Sequence, residues 1–490
     1  MAHDLVLRGG RVIDPETGLD GVRDVAIEGR RVAAVSEDRL DAPTVVEVAG
    51  LTVTPGFIDL HSHAQTLAGR RLQACDGVTS AFDLEGGRAP IEAAYRQEAQ
   101  WGSPIHYGFS ASWAAARMAV VAGIDAAGGV NRLLDNLGRP AWQRPADATE
   151  VTGILEALRR DLSAGGVGIG LLMGYAPGVA PDEYLSVARL AAEAGVPTFT
   201  HSRDLIELTP ATLIDGAEEI VRAAGETGAR MHHCHVNSTS GRHVDRVLEL
   251  VARSQAQGSK VSVEAYPYGS GATAIGAAFL SPERLGERGL VPRSLTYLPT
   301  GERIADAGRL EHLRATDPGG AVIVDFLDEE DPADMALLRR SLLFTDAIIA
   351  SDAMPPISRT GRSDPEAWPL PAGQVTHPRT AGTYSRALRL WRQAGLPLPD
   401  VIRRCTLLPA RLLEACVPAM AQKGRVQPGA DADLAIFDAA RVTDQATYAE
   451  STRPSSGIVH VLVHGRFVVR DGELVPGDLP GQAVRARPTP

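Results

Sequence analysis

The strongest constraint on this chain is a recurring pattern: short apolar runs that end in histidine or a carboxylate. Eight runs read as buried strands: GFIDL (56–60), TSAFDL (79–84), IHYGFS (105–110), GVGIGLL (166–172), PTFTH (197–201), ARMHHCH (229–235), VSVEAY (261–266) and DAIIASD (346–352). Amphipathic helical stretches lie between them, the mark of repeated βα units and a parallel sheet. Eight units over roughly 300 residues favour a closed (β/α)8 TIM barrel over an open sheet. The fold class expected is therefore α/β.

Both ends of the chain have another texture. DLVLRGGRVID, DVAIEGRRVAAVS and TVVEVAGLTVTPG alternate apolar and polar positions, with Gly, Asp and Pro between them. ADLAIFD and GIVHVLVHGRFVVRDGEL repeat this near the other end, with a hairpin turn expected at His464-Gly465. The expected organisation is a small β-sandwich domain built from both termini, residues 1–54 plus 405–490, around a barrel at 55–404. Residues 281–345 are too long for an ordinary βα connection and are expected to form an inserted lid or subdomain.

At 490 residues the chain exceeds one compact core. A net charge of -11 argues against nucleic acid or an anionic membrane as partner. No apolar run is long enough to cross a bilayer, and the first residues carry no secretory pattern. Four scattered cysteines (Cys75, Cys234, Cys405, Cys416) make no disulfide framework, so a cytoplasmic protein with reduced thiols is expected. Its partner is then a small molecule, with homo-oligomerisation open.

In a barrel of this kind the active site lies at the C-terminal ends of the strands. There the first strand presents His61 and His63, which alternation places on one side. The second runs into Glu85, the fifth ends in His201, and the eighth ends in Asp352. Parity cannot separate His233 from His235 on the sixth strand, but His235 is nearer the rim and is taken as the ligand. His232 and Cys234 are expected to pack on the other side. Four histidines and two carboxylates can hold one or two divalent cations, most readily zinc. The only lysines, Lys260 and Lys423, lie away from the rim, so a lysine carbamate is not expected and Glu85 is the best candidate for a bridging anion. The plainer alternatives are surface imidazoles for His61 and His63, capping or ion pairing for His201 and Asp352, and an exposed loop carboxylate for Glu85.

TPGFIDLHSH, the strand-end His201 and His235, ASDAMP and GRVQPGADADLAIFD together resemble the amidohydrolase superfamily. YPY (266–268), HPRTAGTYSRAL (377–388) and SSGIVHVLVHGRFVVRDG (455–472) resemble the D-aminoacylases within it. The resemblance implies hydrolysis of a linear amide, such as the acyl bond of an N-acyl-D-amino acid, by metal-activated water. It implies metal ligation by His61, His63, His201, His235 and Asp352, with Asp352 also moving the proton. Arg379 would grip a substrate carboxylate, unless it makes only a surface ion pair. Tyr266 would stand near the scissile carbonyl, or else be a core aromatic. Three positions depart from typical D-aminoacylases: Glu85 replaces a cysteine, Asn237 a lysine and Ala272 a serine. The last two fall where substrate is recognised. A cyclic-amide hydrolase, a specialised amide hydrolase of secondary metabolism and a non-catalytic scaffold are the alternatives.

Overall fold

The computed structural model describes residues 3–125, 130–359 and 367–487, so residues 488–490 of the expected C-terminal segment lie outside the described residues. Eight strands, Phe57–Asp59, Val78–Arg88, His106–Ser112, Ile169–Leu172, Pro197–His201, Arg230–His233, Val261–Ala265 and Ile348–Ile349, form one sheet in which chain neighbours are sheet neighbours. Pairing is parallel, as at Pro197↔Arg230 and Thr198↔Ile169. This is the (β/α)8 barrel. Its strands are buried nearly throughout, which explains why they read as continuous apolar runs rather than alternating ones.

Local signals place the helices. Asp147 caps Ala148–Ser163 by accepting from the Glu150 backbone N–H at 2.9 Å, while Glu150 accepts from the Asp147 N–H at 2.9 Å. Pro181 opens Pro181–Ala194, and Gly195, at φ 69°, closes it in the left-handed region.

The two ends build a nine-stranded sheet. Thr52–Pro55 runs antiparallel to Leu434–Phe437, which joins the N-terminal strands to the C-terminal ones. Leu7, Val12, Val25, Val53, Leu434, Ile436 and Leu462 share one apolar core on its face. His464 and Gly465, at φ 50° and 74°, turn the hairpin between Ile458–Val463 and Arg466–Arg470, a two-residue turn with both central residues left-handed. The tail goes on beyond this sheet: Pro480 and Ala483 bridge to Ser103 and Tyr107, where the third barrel strand begins.

The chain divides into two compact units. Met1–Phe82, Gln97–Gly108 and Ile348–Val484 make the first; Asp83–Arg96, Phe109–Ala347 and Arg485–Pro490 make the second. The second unit contains an inserted sheet of four strands, Ser270–Ala274, Leu295–Tyr297, Glu302–Arg303 and Ala321–Asp325. It begins at Ser270, earlier than the 281 expected from the sequence. No helix among the described residues is long and apolar enough to cross a membrane.

Candidate metal centre and active site

In the first unit, the end of the first barrel strand carries two imidazoles whose Nε2 atoms are 3.2 Å apart, those of His61 and His63. Asp352 Oδ1 lies 3.4 Å from His61 Nε2 and 3.6 Å from His63 Nε2. One ligand atom from each of the three lies within 4.8 Å of the others, and all three residues are buried. Two imidazole nitrogens and a carboxylate oxygen thus converge on one small space. A divalent cation accepts all three lone pairs at once, so this donor set fits one.

Asp352 is held in an uncommon conformation, φ 50°, directly after Ser351. Its neighbours explain how this is maintained. Asp59, fully buried, accepts from the backbone N–H of His61 (3.2 Å), the N–H of Ser351 (3.0 Å), the Ser351 hydroxyl and the Gln73 amide (2.7 Å). The His63 N–H donates to Ala353 O at 2.8 Å. Burial pushes the Asp59 carboxyl up to about 6, against the opposing pull of the donors from Ser351 and His61. Asp59 and Ser351 thus tie the ends of the first and eighth strands together. Sequence reading missed both, although Asp59 stands inside the TPGFID motif.

Arg379 opens the helix Arg379–Gln393 and is fully buried, with Nη2 2.8 Å from Asp352 Oδ2. A surface ion pair is thereby ruled out, and an unforeseen partner appears: the carboxylate expected to move the proton.

In the second unit, Glu85 lies within a strand that runs on to Arg88, and it is buried rather than exposed on a loop. Its Oε1 is 3.1 Å from His201 Nδ1 and 2.7 Å from His235 Nε2. Gly170 permits this placement, because a Cβ there would meet Glu85 O at 2.3 Å. The rings of His201 and His235 are edge to face, their centroids 4.7 Å apart. Tyr175 and Phe279 wall in His201, at 4.7 and 6.0 Å between ring centroids.

The sixth strand sorts its histidines by geometry. The strand stops at His233, and His235 follows in the left-handed region at φ 32°, where a non-glycine residue is under strain. This break, rather than strand parity, separates the two: His235 reaches Glu85, while His233 Nε2 is 3.0 Å from Thr239 Oγ1. Burial first, and then the neighbouring His235 and His232, push the His233 imidazole down to about 3, so it is neutral. Ser238 Oγ is 2.9 Å from His235 Nδ1 and orients the ring that faces Glu85. His232 is buried and its ring packs edge to face on Phe199, centroids 5.5 Å apart, as expected, but it also has polar partners. Its Nε2 is 3.0 Å from Glu264 Oε2 and its Nδ1 2.7 Å from Ser262 Oγ.

Tyr266 is buried, its ring centroid 6.2 Å from that of His235. Asn237 donates from Nδ2 to the carbonyls of Tyr266 (3.1 Å) and Tyr268 (3.4 Å) and accepts from the Tyr266 N–H (3.4 Å). Its amide therefore pins the YPY backbone, a job a lysine could not do in the same way, since an ammonium has no acceptor.

A barrel whose strand ends carry these donor sets defines a class of metal-dependent hydrolase, and the comparisons agree. Residues 44–469 match the amidohydrolase family, so the chain belongs to that family. It is similar to an N-acyl-D-glutamate deacylase of Alcaligenes xylosoxydans xylosoxydans, at 30% identity over 98% of this chain and 96% of that one. A D-aminoacylase of the same organism is 29% identical over 94% and 93% of the two chains. The crystal structure of a D-aminoacylase superposes with a TM-score of 0.77 at 23% identity, over 99% of this chain and 100% of that one.

Proposed function

We propose that this chain is a zinc-dependent deacylase of N-acyl-D-amino acids, with one or two ions per chain. His61, His63 and Asp352 would hold one ion, and Glu85, His201 and His235 a second. The observation that carries the reading is the His61–His63–Asp352 cluster, three buried ligand atoms within 4.8 Å at a barrel strand end. Family membership and the deacylase relatives support the choice of amide substrate.

The zinc, when bound, supplies an acidified water and polarisation of the amide carbonyl. Every other task falls to side chains of the chain. Asp352 takes a proton from the attacking water and returns it to the leaving amine. Arg379 aligns Asp352 and offers a guanidinium to the substrate carboxylate. Tyr266, held by Asn237, stands near His235, where its hydroxyl can stabilise the developing oxyanion. The substrate is a small molecule.

The test is incubation of zinc-loaded protein with matched N-acetyl-D- and N-acetyl-L-amino acids, acidic and apolar, beside hydantoin and dihydrouracil. Release of free amine from the D-substrates alone is expected, and it should vanish on chelation and return with zinc. Opening of the rings only, or no turnover with zinc bound, defeats the deacylase reading.

A further inference from the structure

Glu264 lies in the strand Val261–Ala265, facing two groups from the neighbouring run 229–235 that stand three residues apart, His232 and His235. Its Oε2 is 3.0 Å from His232 Nε2, and its Oε1 accepts from the backbone N–H of His235 at 3.4 Å. His232 and Glu264 are both buried, at 0% and 1% exposure. Ser262 Oγ lies 2.7 Å from His232 Nδ1, so both ring nitrogens are engaged and the ring is fixed facing the carboxylate.

His235 needs such a partner. Its left-handed φ of 32° takes the chain off the strand and turns the ring towards Glu85, a strained conformation for a non-glycine residue that persists only when neighbours impose it. Ser238 and Glu85 hold the ring nitrogens, and the Ser238 hydroxyl also donates to the His235 carbonyl at 3.2 Å, but the backbone N–H is taken up by Glu264. In the first unit the buried carboxylate of Asp59 likewise accepts from the backbone N–H of His61, at 3.2 Å.

We propose that Glu264, oriented by His232, is a positioning residue for metal binding: it latches the His235 backbone in the conformation that presents the imidazole. This rests on the proposed reading of His235 as a ligand. Loss of the latch releases the backbone towards a relaxed conformation and lowers metal affinity without removing a ligand.

The test is zinc affinity by competition with a chromophoric chelator, and the visible spectrum of the cobalt-loaded protein, for wild type, Glu264→Gln and Glu264→Ala. The glutamine oxygen can still accept from the His235 N–H; alanine cannot. Expected are an affinity about 10–100-fold lower and an altered cobalt spectrum in the alanine variant, with glutamine restoring most of both. A merely structural role would lower the melting temperature without separating the two variants in affinity. A folded alanine variant with wild-type affinity and spectrum overturns the proposal. If that variant does not fold, His232→Ala replaces it, and wild-type affinity and spectrum there overturn the proposal equally. Wild-type protein that takes up no zinc defeats the metal reading itself, an outcome distinct from equal affinities.

Discussion

Arg379 Nη2 and Asp352 Oδ2 are 2.8 Å apart, and the arginine is wholly buried. On the proposed reading this guanidinium would have two tasks that one substitution would confuse: aligning the carboxylate and receiving a substrate carboxylate. Losing one preorganised charge-stabilising group typically costs about 10²–10³ in kcat, so Arg379→Met should lower kcat/KM by about a hundredfold. The tasks separate when each N-acetyl-D-amino acid is assayed beside its carboxamide. Wild type should prefer the acid, and Arg379→Met should lose that preference. If the variant slows acid and carboxamide equally, Arg379 serves Asp352 alone.

Asp352→Asn keeps the shape of the side chain and removes its capacity to take a proton. The expected outcome is retained zinc with kcat down by about 10²–10⁴. The retention of zinc relies on His61 and His63, which are pinned independently through Asp59 and Ala353. Metal analysis beside kinetics checks both halves. Full activity would exclude Asp352 from the proton transfer.

Glu85 Oε1 meets both His201 and His235. Glu85→Ala leaves two imidazoles without their anion, and zinc affinity at that cluster should fall at least about tenfold. The His61, His63 and Asp352 cluster keeps all its donors. A zinc titration followed by calorimetry should therefore lose or weaken one component while another persists. A titration identical to wild type would mean that Glu85 holds no metal.

The sequence made some of this legible and hid the rest, for physical reasons. All eight barrel strands could be located because strands buried on both faces must be apolar and short. Rim candidates could be nominated because the active sites of such barrels lie at the C-terminal strand ends. What escaped were groups whose partners are distant in sequence. Asp59 and Ser351 meet across 292 positions, and no local pattern announces that. Glu264 inside VSVEAY was an available clue, a carboxylate within a buried strand, as Asp59 is in GFIDL. The choice between His233 and His235 needed a backbone dihedral that periodicity assumes away. Lys423 was correctly placed off the rim, yet its pairing with Asp431 (2.9 Å) and Asp433 (2.5 Å) appears only in three dimensions.

That pairing belongs to a buried polar cluster far from the rim ligands in sequence, and its histidine makes a pH prediction. Burial first, and then His106 beside it, push the His464 imidazole down to about 4, with Lys423 adding to the shift and Asp433 and Asp431 opposing it. An unfolded histidine protonates near about 6.5. Between those values the unfolded chain binds the proton and the folded one resists it, so stability rises with pH across the window and falls as pH drops from about 6.5 towards about 4. Asparagine tolerates the left-handed φ of 50° at this turn and has no proton to take up. His464→Asn should therefore flatten the decline. Urea midpoints at steps from about pH 7.5 to 4.5 should fall more steeply for wild type than for the variant, the gap opening below about pH 6.5. Parallel curves would show that His464 titrates alike in both states and that its burial carries no pH dependence.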